Sequence, residues 1–198
     1  MAACGANGNR FGTELQDIPA RRPERKSISG NFIVLEPLRA EHADDLYEVV
    51  GGTEEERASL WDYMLYGPFT ARQSFQSYIA KCHWLLCPDA TCPFLEAIAE
   101  NNWGHRMCVP SGRLVFDDLG YRRFEWKCNT LAAQRLGFIF EGIFRQHMIT
   151  KGRNRDTAWF SIIDSDWPIV KQAFQAWLDS KNFDEQGRQR QALASLRK

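Results

Sequence analysis

The stretch RFEWKC, residues 123–128, alternates Phe124, Trp126 and Cys128 with Arg123, Glu125 and Lys127. A period of two makes it a strand with one buried face and puts the Glu125 carboxylate on the other. A carboxylate so placed can accept a proton as a general base. The same pattern also describes a solvated strand carboxylate paired with Arg123 or Lys127. His147, within FIFEGIFRQHMI, is a second group able to relay a proton, and a half-buried strand histidine carries the same signature.

Arg145, Arg153, Asn154, Arg155 and Asp156 gather around the turn TKGRNR. Such a cluster can hold a polar ligand, or it can be a charged turn that keeps a hairpin soluble. Nucleic acid is not the expected partner. The formal net charge is zero, and no aromatic residues are interleaved with KGRNR. Cys82, His83, Cys87, Cys92, His105 and Cys108 pose a zinc question, since zinc takes four converging thiolate or imidazole ligands. Their spacing lacks the paired close gaps of zinc sites, so the six cysteines read as free thiols and no metal is expected.

Composition bounds the rest. At 198 residues, 44 % apolar, with 7 Trp and 13 Phe, the chain suits one domain with a sizeable core. No apolar run reaches bilayer length, and MAACGANGNRFG has no basic-then-apolar leader pattern. A cytoplasmic protein with no membrane partner is the expectation.

The elements that must position these groups can be read in order. Residues 1–27 form a loose, aperiodic arm. Phe32 to Leu35 is a short strand closed by Pro37. Ala43, Leu46, Tyr47 and Val50 share one face of a helix stopped by Gly51-Gly52. Thr53 with Glu56 is a capping-box signature for a second helix carrying Leu60, Trp61 and Met64. Thr70 with Gln73 starts a third, with Phe75, Tyr78, Ile79 and Cys82 inward.

Residues 83–112 keep neither period for long and contain three prolines, Pro88, Pro93 and Pro110. They read as an irregular insertion or a stretch foreign to the rest of the fold. Val115, Phe116 and Leu119 then close a helix at Gly120. After the strand at 123–128, Leu131 to Leu136 is a short helix stopped by Gly137. FIFEGIFRQHMI and DTAWFSII form a long hairpin. Asp164 to Asp166 precede a helix with Pro168 in its first turn and Val170, Ala173, Phe174 and Trp177 on one face. Beyond Ser180 the text is polar and reads as frayed or solvated helix, with residues 191–198 as a tail. Trp126, Phe138, Phe140, Trp159, Phe160 and Trp167 are expected to serve the core.

Strands and helices alternating in this way imply an α/β domain over residues 28–190, a mixed sheet flanked by helices. The joint AAQRLGFIFEG, taken with LGYRRFEWKCN, KGRNRDTAWFSIIDSDWP, LEPLRAEHADDLYEVV and LWDYMLYGPF, resembles the GNAT superfamily of N-acetyltransferases. Within it, the sequence is most similar to the RimJ/RimL-like branch, the ribosomal-protein alanine acetyltransferase type. The resemblance covers residues 23–82 and 113–190.

It implies acyl transfer from acetyl-CoA to a primary amine, on a protein N-terminus or a small molecule. It also implies a pantetheine arm lying where two strands splay, beside the strand of Glu125. On that basis Glu125 and His147 are candidate catalytic groups. Asn129, Gly137 and Phe138 are candidate acetyl-CoA contacts, and Tyr66, Arg145, Arg153 and Asn154 border the acceptor.

Two departures stand out. The family cradles the cofactor diphosphate on a Gln/Arg-x-x-Gly-x-Gly/Ala loop at a helix start, and this sequence has none; Gly104 and Gly112 lack the spacing. Residues 129–138 also form a connection at the lower length limit for joining parallel strands, and the family's Asn-x-x-Ser segment is missing there. The central strands are therefore expected to be incomplete. A non-catalytic remnant of the fold, serving as a binding or structural module, is the alternative.

Overall fold

The computed structural model describes residues 20–30, 33–50, 53, 55, 61, 66–82, 103–127 and 130–197; of residues 103–106 and 130–132 it describes the backbone. The expected capping-box helix from Thr53, apart from Thr53, Glu55 and Trp61 themselves, and the atypical stretch as far as residue 102 lie outside them.

Ile28–Ser29 (β1) pairs antiparallel with Val34–Leu35 (β2), so the expected strand is realised at its last two residues. Ala43–Val50 (α1) and Arg72–Cys82 (α2) follow. Ala43, Val50, Trp61, Phe75 and Ile79 form one buried cluster, with Leu46, Tyr47, Phe69 and Tyr78 packed on it. The helical period on α1 and α2 turns Ala43, Leu46, Tyr47, Val50, Phe75, Tyr78 and Ile79 inward, as their spacing requires. Arg72 joins the two helices from outside. It donates to Asp44 at 3.0 Å and to Glu48, and it lies 5.0 Å from the centre of the Tyr47 ring.

Trp103–Gly112 is a helix (α3), and the chain continues through a wider π-helical turn over Arg113–Asp118. This corrects the reading of 103–112 as irregular. Cys108, Val109 and Phe116 pack against the C-terminal core at helical spacing. Pro110 and Gly112 interrupt that stripe in the sequence, which hides it. Pro110 removes one helical donor, yet it is buried, and its ring packs beside Gly30 at the β1–β2 turn. Gly120 ends the segment at φ +72°, as expected.

Among the described residues, the C-terminal half carries a three-stranded antiparallel sheet. Arg123–Lys127 (β3) and Ile139–Thr150 (β4) flank Arg153–Ile163 (β5), with β5 central. β3 and β4 therefore run in the same direction and do not pair with each other through their backbones. Lys151 and Gly152, both at positive φ, make the two-residue turn of the β4–β5 hairpin.

Thr130–Arg135 (α4) connects β3 to β4. It ends in a Schellman stop: Phe138 N–H donates to Ala133 O at 3.0 Å and Gly137 N–H to Gln134 O at 3.1 Å. Gly137 stands at φ +95°, where a side chain would be strained.

Trp167–Leu178 (α5) covers one sheet face with Trp167, Val170, Ala173, Phe174, Trp177 and Leu178, against Ala133, Leu136, Phe138, Phe160 and Ile162. The expected core list needs two corrections. Phe140 is 42 % exposed, because it lies on an edge strand beyond the reach of α5. Trp159 is half-buried on the opposite sheet face.

The segment after Ser180 is not frayed. Asn182 is buried, donates to Trp177 O at 2.9 Å and accepts from Gln191 N–H at 2.9 Å. Leu193, in the last helix Leu193–Leu196 (α6), enters the core. Among the described residues no helix is long and apolar enough to cross a membrane.

Candidate functional site

The sheet face turned away from α5 carries the chemistry. Register places Arg123 opposite Ile163, Glu125 opposite Ser161 and Lys127 opposite Trp159, all on that face, while Phe124 and Trp126 point to the core. β4 adds Glu141 at a bulge, where Phe140 faces Phe160 and Gly142 faces Trp159.

Arg123 binds two carboxylates at once. Its Nε donates to Glu125 Oε1 at 2.5 Å, its Nη1 to Glu141 Oε1 at 2.8 Å, and its Nη2 to Glu141 Oε2. Ser161 Oγ donates to Glu141 Oε1 at 2.6 Å. The Arg123 fork, helped by the Ser161 hydroxyl, holds the Glu141 carboxyl down to about 2, so it stays ionised. The two carboxylates push the Arg123 guanidinium further up from its already high value.

The edge of β3 away from β5 is open among the described strands. Arg122 C=O accepts from Asp164 N–H at 3.0 Å, which fixes the alternation. Phe124 and Trp126 then turn their backbone groups to β5, and Arg123, Glu125 and Lys127 turn theirs to the open edge. An extended ligand with amides could hydrogen-bond there as an added strand does.

Further along the same face, Lys127 Nζ lies 4.1 Å from the centre of the Trp159 ring. Phe144 stands 5.0 Å from Trp159 and 5.6 Å from the His147 ring. His147 Nδ1 is 2.9 Å from Thr157 Oγ1. Glu125 faces Ser161 and His147 meets Thr157, four residues apart on β5, so the two are separated by roughly 13 Å along the strand. The structure does not join them as one proton-transfer couple.

The other expected site residues are dispersed. Arg145 and Asn154 line an open concavity of about 520 Å³ with Gln146 and Asp156. There Gln146 N–H and Asn154 Nδ2 both donate to Asp156 Oδ1, at 2.7 and 3.1 Å. Arg153 sits at the hairpin turn opposite Thr150. Tyr66 is exposed beside Tyr78, ring centres 5.3 Å apart, in the N-terminal cluster.

Phe138 is buried, edge-on to Phe124 and Trp126, so its side chain serves packing. A Cβ on Gly137 would face Arg197 and Val170 rather than the open sheet face. Asn129 lies outside the described residues. Cys82 and Cys108 are half-buried, and among the described residues no His, Cys, Asp and Glu cluster could hold a metal.

Sequence reasoning missed Glu141 and Ser161. Arg123 was readable from its alternation with Glu125. Glu141 lay in the Glu-Gly of the joint, but its partnership with Arg123 spans 18 residues and needs the sheet order to appear.

No protein-family model and no curated protein matches the sequence. Solved structures do. A GCN5-related N-acetyltransferase from Brucella melitensis is 34 % identical, at TM-score 0.77, over 92 % of this chain and 99 % of that one. A probable acetyltransferase of the GNAT family from Chromobacterium violaceum ATCC 12472 is 27 % identical, at TM-score 0.65, over 80 % of this chain and 97 % of that one. The order of strands and helices around the Leu-Gly-Phe joint and the whole-length likeness agree: this chain belongs to the GCN5-related N-acetyltransferase family.

Proposed function

We propose that this chain transfers an acetyl group from acetyl-CoA to a primary amine, on a protein N-terminus or a small molecule in the cytoplasm. The observation that carries this reading is the 34 % identity spanning 99 % of a solved N-acetyltransferase. The resemblance to the RimJ/RimL-like branch points to a peptide N-terminus as the first acceptor to try.

Acetyl-CoA supplies an acyl thioester, whose C–S bond breaks as the amine nitrogen forms the new amide bond. The residues of β3 suit the pantetheine arm, because the backbone groups of Arg123, Glu125 and Lys127 face the open edge. The diphosphate is served less well, since the sequence has no glycine loop of the required spacing and Gly112 is committed to packing. Glu125, at the same edge, takes the proton that the acceptor ammonium must lose before its nitrogen can attack. Glu141 does not compete for that proton, because Arg123 and Ser161 keep it ionised.

The missing loop favours a second reading, a non-catalytic module that keeps the fold. One experiment separates them. The purified chain is incubated at millimolar acetyl-CoA with a peptide beginning in alanine, or with spermidine, and free CoA thiol and acetylated product are measured. Amine-dependent thiol release supports acetyl transfer, and its absence with both acceptors supports the module.

A further inference from the structure

We infer that Glu141 is a positioning residue: anchored by Ser161, it fixes the Arg123 guanidinium that in turn orients the Glu125 carboxylate. The inference rests on the reading of Glu125 as proton acceptor.

Three strands contribute to the assembly. Arg123 and Glu125 are neighbours on one face of β3, Ser161 is opposite Glu125 on β5, and Glu141 reaches in from β4. An exposed arginine two residues from a glutamate would ordinarily hold it loosely, because such pairs gain little against side-chain entropy. Here the fork of Arg123, Nη1 and Nη2, is taken by the two oxygens of Glu141. Bidentate geometry fixes the plane of the guanidinium. Only Nε is then directed at Glu125, and it meets Oε1 alone.

That division matters chemically. If Arg123 turned its fork onto Glu125, both carboxylate oxygens would be occupied and neither could readily take a proton. With Glu141 occupying the fork, Glu125 is oriented through one oxygen and keeps the other for an incoming ammonium. Ser161 keeps Glu141 from following Arg123 outward, since its hydroxyl ties Glu141 to the central strand at 2.6 Å. Lys127, the remaining charged group on this face of β3, sits over Trp159 and leaves the arrangement undisturbed.

The test compares the full chain with its Glu141→Gln and Ser161→Ala variants by two readouts. The first is solvent exchange of the Arg123 Nε–H, followed by NMR, which needs no activity. Glu141→Gln is expected to speed it about tenfold, the scale of one lost charge-assisted hydrogen bond, and Ser161→Ala to speed it less. The second is acetyl transfer from acetyl-CoA to the alanine-starting peptide. There kcat is expected to fall about tenfold in Glu141→Gln, on the same scale, with KM for the peptide unchanged. Ser161→Thr, which keeps a hydroxyl, should restore what Ser161→Ala loses.

Unchanged exchange in a folded Glu141→Gln variant overturns the inference whatever the activity. Faster exchange with unchanged kcat also overturns it, reducing the network to a structural ion pair. Should Glu141→Gln fail to fold, Ser161→Ala carries the same two readouts. An unmodified chain that transfers no acetyl group overturns the acetyl-transfer reading, and the role of Glu141 with it. The exchange result then still measures the Glu141–Arg123–Glu125 linkage separately.

Discussion

Gly112 of α3 lies flat against the indole of Trp167 at the start of α5: a Cβ placed on Gly112 would stand 2.4 Å from the ring. Trp167 has little room to move. It is 4 % exposed, stacks on Phe116 at 5.3 Å, and donates from Nε1 to Asp117 Oδ1 at 2.9 Å. The glycine therefore serves the crossing of two helices. Gly112→Ala is expected to cost about 1–3 kcal/mol, the range for forcing extra volume into a packed site. Urea denaturation measures it, and an unchanged midpoint would mean that the indole shifts freely.

The two sheet faces should respond differently to truncation. Phe160 is fully buried between the sheet and α5, so Phe160→Ala is expected to cost about 3–5 kcal/mol. Trp159, the next residue, is half-buried on the open face, and Trp159→Ala is expected to cost less than half as much. Chemical denaturation of both variants decides it; equal losses would place a second core on the open face.

Acid should weaken the fold partly through Glu141. Its carboxyl titrates near 2 in the folded chain, below its ordinary value of 4.5. A depressed carboxylate stabilises the native state above the unfolded value, and that stability is lost as pH falls from about 5 toward 2. Glu141 is 37 % exposed, so the contribution stays below about 1 kcal/mol. Glu141→Gln should flatten this part of the curve of denaturation midpoint against pH. Asp117 adds a trend of the same sign. Burial alone would raise its carboxyl, but the hydrogen bonds from Lys171 and Trp167 bring it below the ordinary value.

Affinity for acetyl-CoA is expected to be weak. A diphosphate must exchange water for several N–H donors at a helix start. Each charge-assisted bond foregone costs roughly 10- to 100-fold in binding. Calorimetry should give a Kd weaker than about 100 µM for the chain as it stands, on that same scale. Inserting a glycine loop of the family's spacing directly before Trp103, where α3 begins, should tighten it. Micromolar binding without the insertion would show that other donors replace the loop.

The joint at Gly137, the β4–β5 hairpin and the apolar stripe of α5 were legible in the sequence, because each is encoded locally. A glycine stop, a two-residue turn and a period of 3.6 or 2 need no knowledge of distant residues. So was the face of β3 that carries Arg123 and Glu125. Tertiary structure decided the rest. Cys108 and Val109 became helical despite Pro110 and Gly112, because their packing on the core, with Gly112 against Trp167, outweighs weak local preference. Phe138, a candidate ligand contact by resemblance, was drawn into the core by Phe124 and Trp126. The meeting of Arg123, Glu141 and Ser161 depends on sheet order and register across three strands. Long-range pairing of that kind leaves no periodic mark in the chain, since the groups it unites are brought together only when the strands align.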